Sequence, residues 1–298
     1  MLVDTPYLYF RAFFGVPGSI RAPDGRPVNA IRGLLDSLAS LVGAHSPEQL
    51  VCCWDDNWRP AWRVELVPSY KAHRVADGGT EEMPDDLAPQ VPLIRQILEA
   101  IGIPVVGVPD MEADDIIATL AARAPGPVLV VTGDRDLFQL VDDEQQVSVL
   151  YIARGLAKQE LVDEAWLLAR YGITGAQYAD FAVLRGDPSD GLPGVRGIGE
   201  KTAASLISRY GDLPGLLAHL DDLSPAVRRS LAAASDYLTR AVPVVRTVRN
   251  LDLPHTEAPL PVAPVEPVLL NELTSELGLG GSVGRLLSAL SHTAGDST

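Results

Sequence analysis

Four short apolar runs in the first half of this 298-residue chain lead straight into carboxylates, and that pattern narrows the folds open to it. MLV (1–3) leads into Asp4, and VCCW (51–54) into Asp55 and Asp56. IPVVGVP (103–109) leads into Asp110, Glu112, Asp114 and Asp115, and PVLVVTG (127–133) into Asp134 and Asp136. Each run is short, continuous and mostly β-branched, as strands buried on both faces are. Helical stretches lie between them: NAIRGLLDSLASLVGAH (29–45), PLIRQILEAIG (92–102) and ADDIIATLAARA (113–124). Alternating strands and helices predict an α/β fold with a mostly parallel sheet. Such sheets bind ligands beyond the carboxyl ends of their strands, the edge these acids occupy.

The acids at 112–115 have a plain explanation. Helix N-termini favour negative charge, and Asp110, behind Pro109, is a candidate cap. Repetition at four strands asks for more. A ring of carboxylates repels itself, and divalent cations relieve the repulsion. Oxygen-only ligands suit Mg2+ or Mn2+ rather than zinc. The carboxylates outnumber what one octahedral Mg2+ takes from protein, so two or more ions are expected, about 3.5–4 Å apart in typical two-metal sites. Their chemistry is phosphoryl transfer: one ion makes hydroxide from water and the other stabilises the leaving oxygen. No G-x-x-x-x-G-K-[ST] and no G-x-S-x-G is present, so neither a P-loop nor a nucleophile elbow is supported.

Composition bounds the class. At 47% hydrophobic and 21% charged, the chain is an ordinary globular one, long enough for two domains. No run of apolar residues is long enough to span a membrane. The opening MLVDTPYLYF lacks a basic region and has an early Asp, so it reads as a strand leaving the core rather than a signal peptide. Cys52 and Cys53 are neighbours on a strand, facing opposite ways, so no bridge between them is expected. No C-x-x-C points to zinc, and a cytoplasmic, nucleoid-associated location is expected. Net charge is −15, but unevenly spread. Residues 1–74 hold 8 Lys and Arg against 7 Asp and Glu, 75–150 hold 3 against 15, and 151–298 hold 13 against 17. Crowded acids usually form a solvated face. Here bound cations are the alternative.

A second motif stands at LRGDPSDGLPGVRGIGEKTAASLISRYG (184–211). Asp187 and Asp190 add two acids, and a glycine-rich turn then opens a helix near Glu200. Backbone N–H groups at such a turn bind phosphate without reading a base. Arg196 and Lys201 add charge. Alone, such a turn is as well explained by tight helix packing; the Asp pair just upstream strengthens the phosphate reading.

With these residues in place, the chain resembles the 5′-nuclease (flap endonuclease) superfamily, especially the 5′-nuclease domain of bacterial DNA polymerase I and its free-standing relatives. The matching residues are Asp4 in LVDTPYLYFRAF, Asp55 in VCCWD, Tyr70, Lys71 and Arg74 in SYKAHR, Glu112, Asp114 and Asp115 in EADD, Asp134 and Asp136 in TGDRDLFQL, and Asp187 and Asp190 in GDPSDGLPGVRGIGEKTA. They fall in the family's order over residues 1 to about 290. The resemblance implies a PIN-like core with a helical arch, plus a helix-three-turn-helix domain that binds duplex DNA. It implies that Asp4, Asp55, Glu112 and Asp114 surround a first ion. Asp115, Asp134, Asp136, Asp187 and Asp190 would surround a second, with Asp114 near both. Lys71 and Arg74 would lie on the arch and contact the scissile phosphate or the 5′ strand. Gly194, Arg196, Gly197, Ile198, Gly199, Lys201 and Thr202 would grip the duplex backbone, with a K+ ion held by carbonyls. The implied activity is cleavage of DNA at 5′-flaps and recessed 5′-ends in replication and repair, by a monomer, with a DNA polymerase or replication clamp as partner. Residues 1–165 would form the catalytic core and 166–298 the helical domain with a C-terminal segment packed back on the core.

The chain departs from the family where DNLPG reads DGLPG, with Gly191 in place of Asn; a looser turn is expected there. The arch, about 58–92, opens with Trp58, Arg59, Trp62, Arg63, Tyr70, Lys71 and Arg74. That is the composition of a grip on single-stranded nucleic acid. Trp62 is expected to pack on the body, Tyr70 to stack on a base, and His73 to sit on the surface. The following GGTEEMPDD is expected to be mobile. Residues 166–250 read as helices, 251–268 as a proline-rich extended stretch, then as a short apolar helix, with the final HTAGDST disordered. Two other functions remain open at this point: a non-catalytic DNA-junction binder, and a related nuclease acting on RNA or RNA–DNA hybrids.

Overall fold

Asp4 ends the first strand and begins the first helix, which sets the pattern for the whole chain. Its side chain accepts from the Tyr7 amide at 3.1 Å, and Pro6 fits the first helical turn. The opening decapeptide is therefore only briefly a strand. The computed structural model describes residues 1–75, 82–253 and 259–296. Its strands are β1 (Leu2–Asp4), β2 (Val51–Cys53), β3 (Val105–Val106), β4 (Val128–Thr132), β5 (Val147–Tyr151) and β6 (Glu160–Val162). The first helices are α1 (Thr5–Gly15), α2 (Asn29–His45), α3 (Ala61–Leu66), α4 (Gln90–Ile101), α5 (Ala113–Arg123), α6 (Glu164–Tyr171) and α7 (Gly175–Arg185). They are followed by α8 (Glu200–Tyr210), α9 (Leu213–Ala218), α10 (Pro225–Ala233), α11 (Ser235–Val245), α12 (Pro267–Leu277) and α13 (Gly280–Asp296). None of the described helices is long and apolar enough to cross a membrane.

Two compact units interleave along the chain. The first comprises Met1–Asp55, Met83–Val108 and Asp252–Thr298. Its strands run β3-β2-β1, all parallel, with Asp4 opposite Cys53 and Cys52 opposite Val105. Cys52 and Cys53 are buried and both remain thiols. Helix α2 lies between α1 and α13. No side chain of its own caps α2; Gln90 of α4, fully buried, accepts from the Ala30 and Ile31 amides at 2.9 and 3.2 Å. That satisfies two of the orphan donors of the helix start. The expected disordered tail is instead helical to Asp296, because Val283, Leu286 and Leu290 of α13 are buried; residues 297–298 lie outside the described set. Part of the proline-rich stretch, 254–258, lies outside it too.

The second unit comprises Asp56–Glu82 and Pro109–Leu251. Strand β5 pairs with β4 in parallel and with β6 antiparallel. Neither β5 nor β6 was foreseen, since VSVLY carries Ser148 within it and leads into Ile152 rather than an acid. An aromatic cluster centred on Phe138 fills the core, with Tyr151, Trp166 and Tyr178 at centroid distances of 5.1, 5.6 and 5.4 Å. Edge-on packing of this kind adds to the burial energy. Residues 165 and 166 both lie within α6, inside this unit. The expected arch is α3 and a short 3-10 turn at Ala72–Arg74; residues 76–81, with much of the GGTEEMPDD stretch, lie outside the described set.

Candidate active site

In the first unit, Asp4 is buried at the end of β1, and Asp55 follows β2 two residues beyond the register partner of Asp4. The other seven predicted carboxylates belong to the second unit. Glu112 is the N-cap of α5, with Asp114 and Asp115 in its first turn. Asp110 does not cap α5. It adopts a left-handed conformation (φ 59°) and accepts from Asn57 Nδ2 at 2.8 Å and the Ala61 amide at 3.3 Å, tying down the loop before α3. Asp134 and Asp136 follow β4, and the Asp136 amide donates to Asp134 Oδ1 at 2.8 Å. Asp187 and Asp190 flank the 3-10 turn after α7, both buried.

These last four acids share one electrostatic neighbourhood. Burial, then Asp134, Asp190 and Asp187, raises the Asp136 carboxyl well above the usual carboxylate range, against the pull of Arg185. Burial also raises Asp190; Lys71 and Arg74 oppose the rise, and Asp134 and Asp187 add to it. Like charges in a low-dielectric site act this way. The acids are met by the protein's own cations. Asp187 accepts from Arg185 Nη2 at 3.0 Å, and Asp190 from Arg74 Nη2 at 3.1 Å. Glu112 takes hydrogen bonds from Arg63 Nη1, Lys71 Nζ and Tyr70 Oη. Accordingly, no group of three or more His, Cys, Asp or Glu forms a ready metal cage among the described residues.

Lys71 and Arg74 are thus brought to the acids, Lys71 to Glu112 and Arg74 to Asp190. Lys71 has a left-handed backbone (φ 47°), and its amide donates to Asp190 O at 2.9 Å. Gly191 permits that approach. It has φ 70°, and a Cβ there would lie 2.0 Å from Ser69 O. The departure from DNLPG is therefore a close contact and not a loosened turn. Tyr70 differs from its expectation. It is buried, 4% exposed, with its hydroxyl on Glu112, so it presents no face for base stacking. Burial, then Glu112, raises its phenol well above the ordinary value. Arg63 was foreseen only as one more basic arch residue. It is buried on Glu112 and Asp115, and its place on α3 carries no sequence signal that separates it from the exposed arginines.

The glycine turn lies open. Pro193, Arg196, Gly197, Gly199 and Lys201 are exposed, and nothing stands within 4 Å of a Cβ placed on Gly197 or Gly199. Thr202 is half-buried. Ile198 differs: its side chain is in the core and its amide donates to Val195 O at 2.9 Å. Tyr237 Oη fixes the start of the turn, accepting from the Gly194 amide at 3.2 Å and donating to Val183 O at 3.1 Å.

Comparison with known proteins bears on this arrangement. The family described as 5′-3′ exonuclease, N-terminal resolvase-like domain, matches residues 1–172, and that described as 5′-3′ exonuclease, C-terminal SAM fold, matches 173–267. A 5′-3′ exonuclease of Streptomyces coelicolor is 56% identical, over 97% of this chain and 99% of its own. DNA polymerase I of Mycobacterium bovis is 36% identical over 99% of this chain, which spans 32% of that polymerase. The solved bacteriophage T5 D15 flap endonuclease, a pseudo-enzyme-product complex with DNA and metal ions, aligns with TM-score 0.65 at 18% identity, covering 99% of this chain and 98% of its own. At that identity the likeness is one of fold. Matched along most of its length by both family descriptions, the chain belongs to the 5′-3′ exonuclease family.

Proposed function

We propose that this protein is a metal-dependent, structure-specific 5′-nuclease that hydrolyses DNA phosphodiesters at 5′-flaps and recessed 5′-ends, using two or more Mg2+ or Mn2+ ions. The observation that carries this reading is the convergence of Asp134, Asp136, Asp187 and Asp190 in one electrostatic neighbourhood, with Lys71 and Arg74 against them. The residues fit divalent cations. Oδ1 of Asp136 is sealed from solvent without a hydrogen-bond partner, as are Oη of Tyr178 and Nη1 of Arg185, which interact electrostatically with it. Orphaned buried oxygens beside other carboxylates are what a hard cation satisfies. Asp134, Asp136, Asp187 and Asp190 would hold one ion, and Glu112 and Asp114 would contribute to another. Bound ions supply a hydroxide at neutral pH and charge stabilisation for the leaving oxygen.

The chain's own residues do the rest. Lys71 and Arg74, paired with Glu112 and Asp190, would offer an ammonium and a guanidinium to the scissile phosphate. The open amides and carbonyls around Gly197 and Gly199 hold the duplex backbone, and a K+ ion suits the carbonyls. The DNA polymerase and exonuclease relatives support DNA as substrate, and a polymerase or replication clamp would be the partner. In this reading the protein acts as a monomer in the cytoplasm, on the nucleoid. The test is D134N/D136N on matched DNA and RNA 5′-flaps annealed to one template. Loss of DNA cleavage with intact folding is expected. Wild-type cleavage by the double variant would end the metal reading, and preference for the RNA flap would move the substrate assignment.

A further inference from the structure

Arg63 is the only Lys or Arg buried among the described residues, at 2% exposure. Its Nε donates to Val244 O at 3.1 Å. Nη1 and Nη2 donate to Asp115 Oδ2 and Oδ1, each at 2.8 Å, and Nη1 also donates to Glu112 Oε2. The guanidinium is therefore a bridge: one edge is forked onto Asp115, and a corner reaches Glu112. Despite burial, Glu112 and Asp115 together hold it more firmly protonated than usual.

Asp115 has no capacity to spare. It is 0% exposed. Oδ1 accepts from Arg63 Nη2 and from the Val248 amide, each at 2.8 Å. Oδ2 accepts from Arg63 Nη1 at 2.8 Å and from the Glu112 amide at 3.4 Å. A carboxylate offers about four lone-pair sites, and here four donors fill them. Coordination of a cation by Asp115 would cost hydrogen bonds in a sealed place, where they are hardest to replace. Glu112 stands differently. Its partner Lys71 is the more exposed of its two cations, with 13% of the side chain accessible against 3% for Arg63. Lys71 is the partner that can leave; Arg63 is the one that stays.

We infer that Arg63 and Asp115 form a positioning pair that aims Glu112 at a divalent cation, and that Asp115 is not itself a metal ligand. The inference rests on the nuclease reading above. Asp115 holds the planar guanidinium in one orientation against the start of α5. Val244 O, in the last turn of α11, and the Val248 amide, just beyond it, fix the pair. Glu112 is thereby set in one orientation with an oxygen facing Lys71, and a cation that displaces the ammonium finds the ligand already aimed. Supports of this kind behind a metal ligand change affinity without changing the number of ions.

The experiment is a count of Mn2+ ions and their affinity, by electron paramagnetic resonance and calorimetry, for wild type, D115N, R63K, R63Q, D115N/R63K and E112Q. Asn keeps the shape of Asp115 and an acceptor for Val248, so D115N decides the question if an Arg63 variant does not fold. Wild-type stoichiometry with affinity weakened about tenfold or more is expected for D115N and R63K. R63Q should be weaker than R63K, and the double variant no weaker than the worse single one, as for two residues acting through one contact. E112Q should lose an ion. In flap cleavage, the metal concentration for half-maximal rate should rise in D115N with the KM for DNA unchanged. An ion lost in D115N as in E112Q, tighter binding in R63K, or additive losses in the double variant would each overturn the pair. Wild type that binds no Mn2+ would instead overturn the nuclease reading on which the pair depends.

Discussion

Asp136 is a buried carboxyl held among other acids, which costs the ligand-free fold. Its carboxyl is raised by burial and by three neighbouring acids, and one of its oxygens has no partner. A raised carboxyl favours the folded state below its ordinary value of 3.8, and that contribution is lost as pH climbs through the raised value. The Asp136→Asn variant removes the charge. Without metal, it should melt higher than wild type by about 2–4 °C, the shift that accompanies 1 kcal/mol in a large domain. The gap should widen as pH rises from Asp136's ordinary value of 3.8 into the alkaline range, and added Mn2+ should close it by stabilising only the wild type. Thermal melts across that range check this; a D136N that melts lower than wild type at the alkaline end without metal would contradict it. Cys52 is the opposite case, a residue the site does not use. Burial pushes its thiol up to about 12. Native protein should resist alkylation at Cys52 near neutral pH, where a thiolate is needed, and denatured protein should not; mass spectrometry after iodoacetamide reads the difference.

At the scale of elements, the acidic loops are held by backbone contacts as much as by charge. Gly191 brings the Ser69–Lys71 segment against the Asp187–Asp190 turn. The Gly191→Ala variant meets Ser69 O and must take a left-handed backbone, so it should lose about 2 kcal/mol and lower kcat by displacing Lys71. Urea melts and flap cleavage check the two effects. Tyr237 holds Gly194 from α11. Tyr237→Phe should weaken duplex binding several-fold and leave kcat at saturating DNA nearly unchanged; fluorescence anisotropy against single-turnover rates separates the two. Much at this scale was legible in the sequence. The runs at 51–54, 103–109 and 127–133 hold β2, β3 and β4, and 29–45 is α2 to the residue, because buried parallel strands and long amphipathic helices carry strong periodic signals. Strand β5 was not legible, since its Ser148 breaks the apolar run, and neither was the helix Thr5–Gly15, whose start depends on the Asp4 cap rather than on pattern. That Asp4, Asp55, Asp134 and Asp136 stand at or just past strand ends could be read from the apolar runs. Their partners could not. Whether Arg63 faces water or Asp115, and whether Tyr70 offers a ring or a hydroxyl, is decided by tertiary contacts between segments about fifty residues apart.

For the whole molecule, a net charge of −15 and a nucleic-acid substrate have to be reconciled. The excess lies in 75–150, where the carboxylates at the ends of β3 and β4 stand, and bound cations would cancel much of it locally. The glycine turn keeps Arg196 and Lys201 exposed. Binding of a 5′-flap without divalent metal, in EDTA, should weaken linearly in log Kd against log salt. Charge reversal at Lys201 should reduce that slope by about one; a flat dependence in the wild type would contradict a backbone grip. The most direct test of the central claim is a single gel. The purified protein is incubated with a 5′-end-labelled double-flap DNA, with Mg2+ or Mn2+ in one set of lanes and EDTA in another. Release of the flap near the junction in the metal lanes alone is the expected result. Tight binding of the same DNA with no cleavage under either metal would contradict it, and would make the protein a junction binder whose acids serve another end.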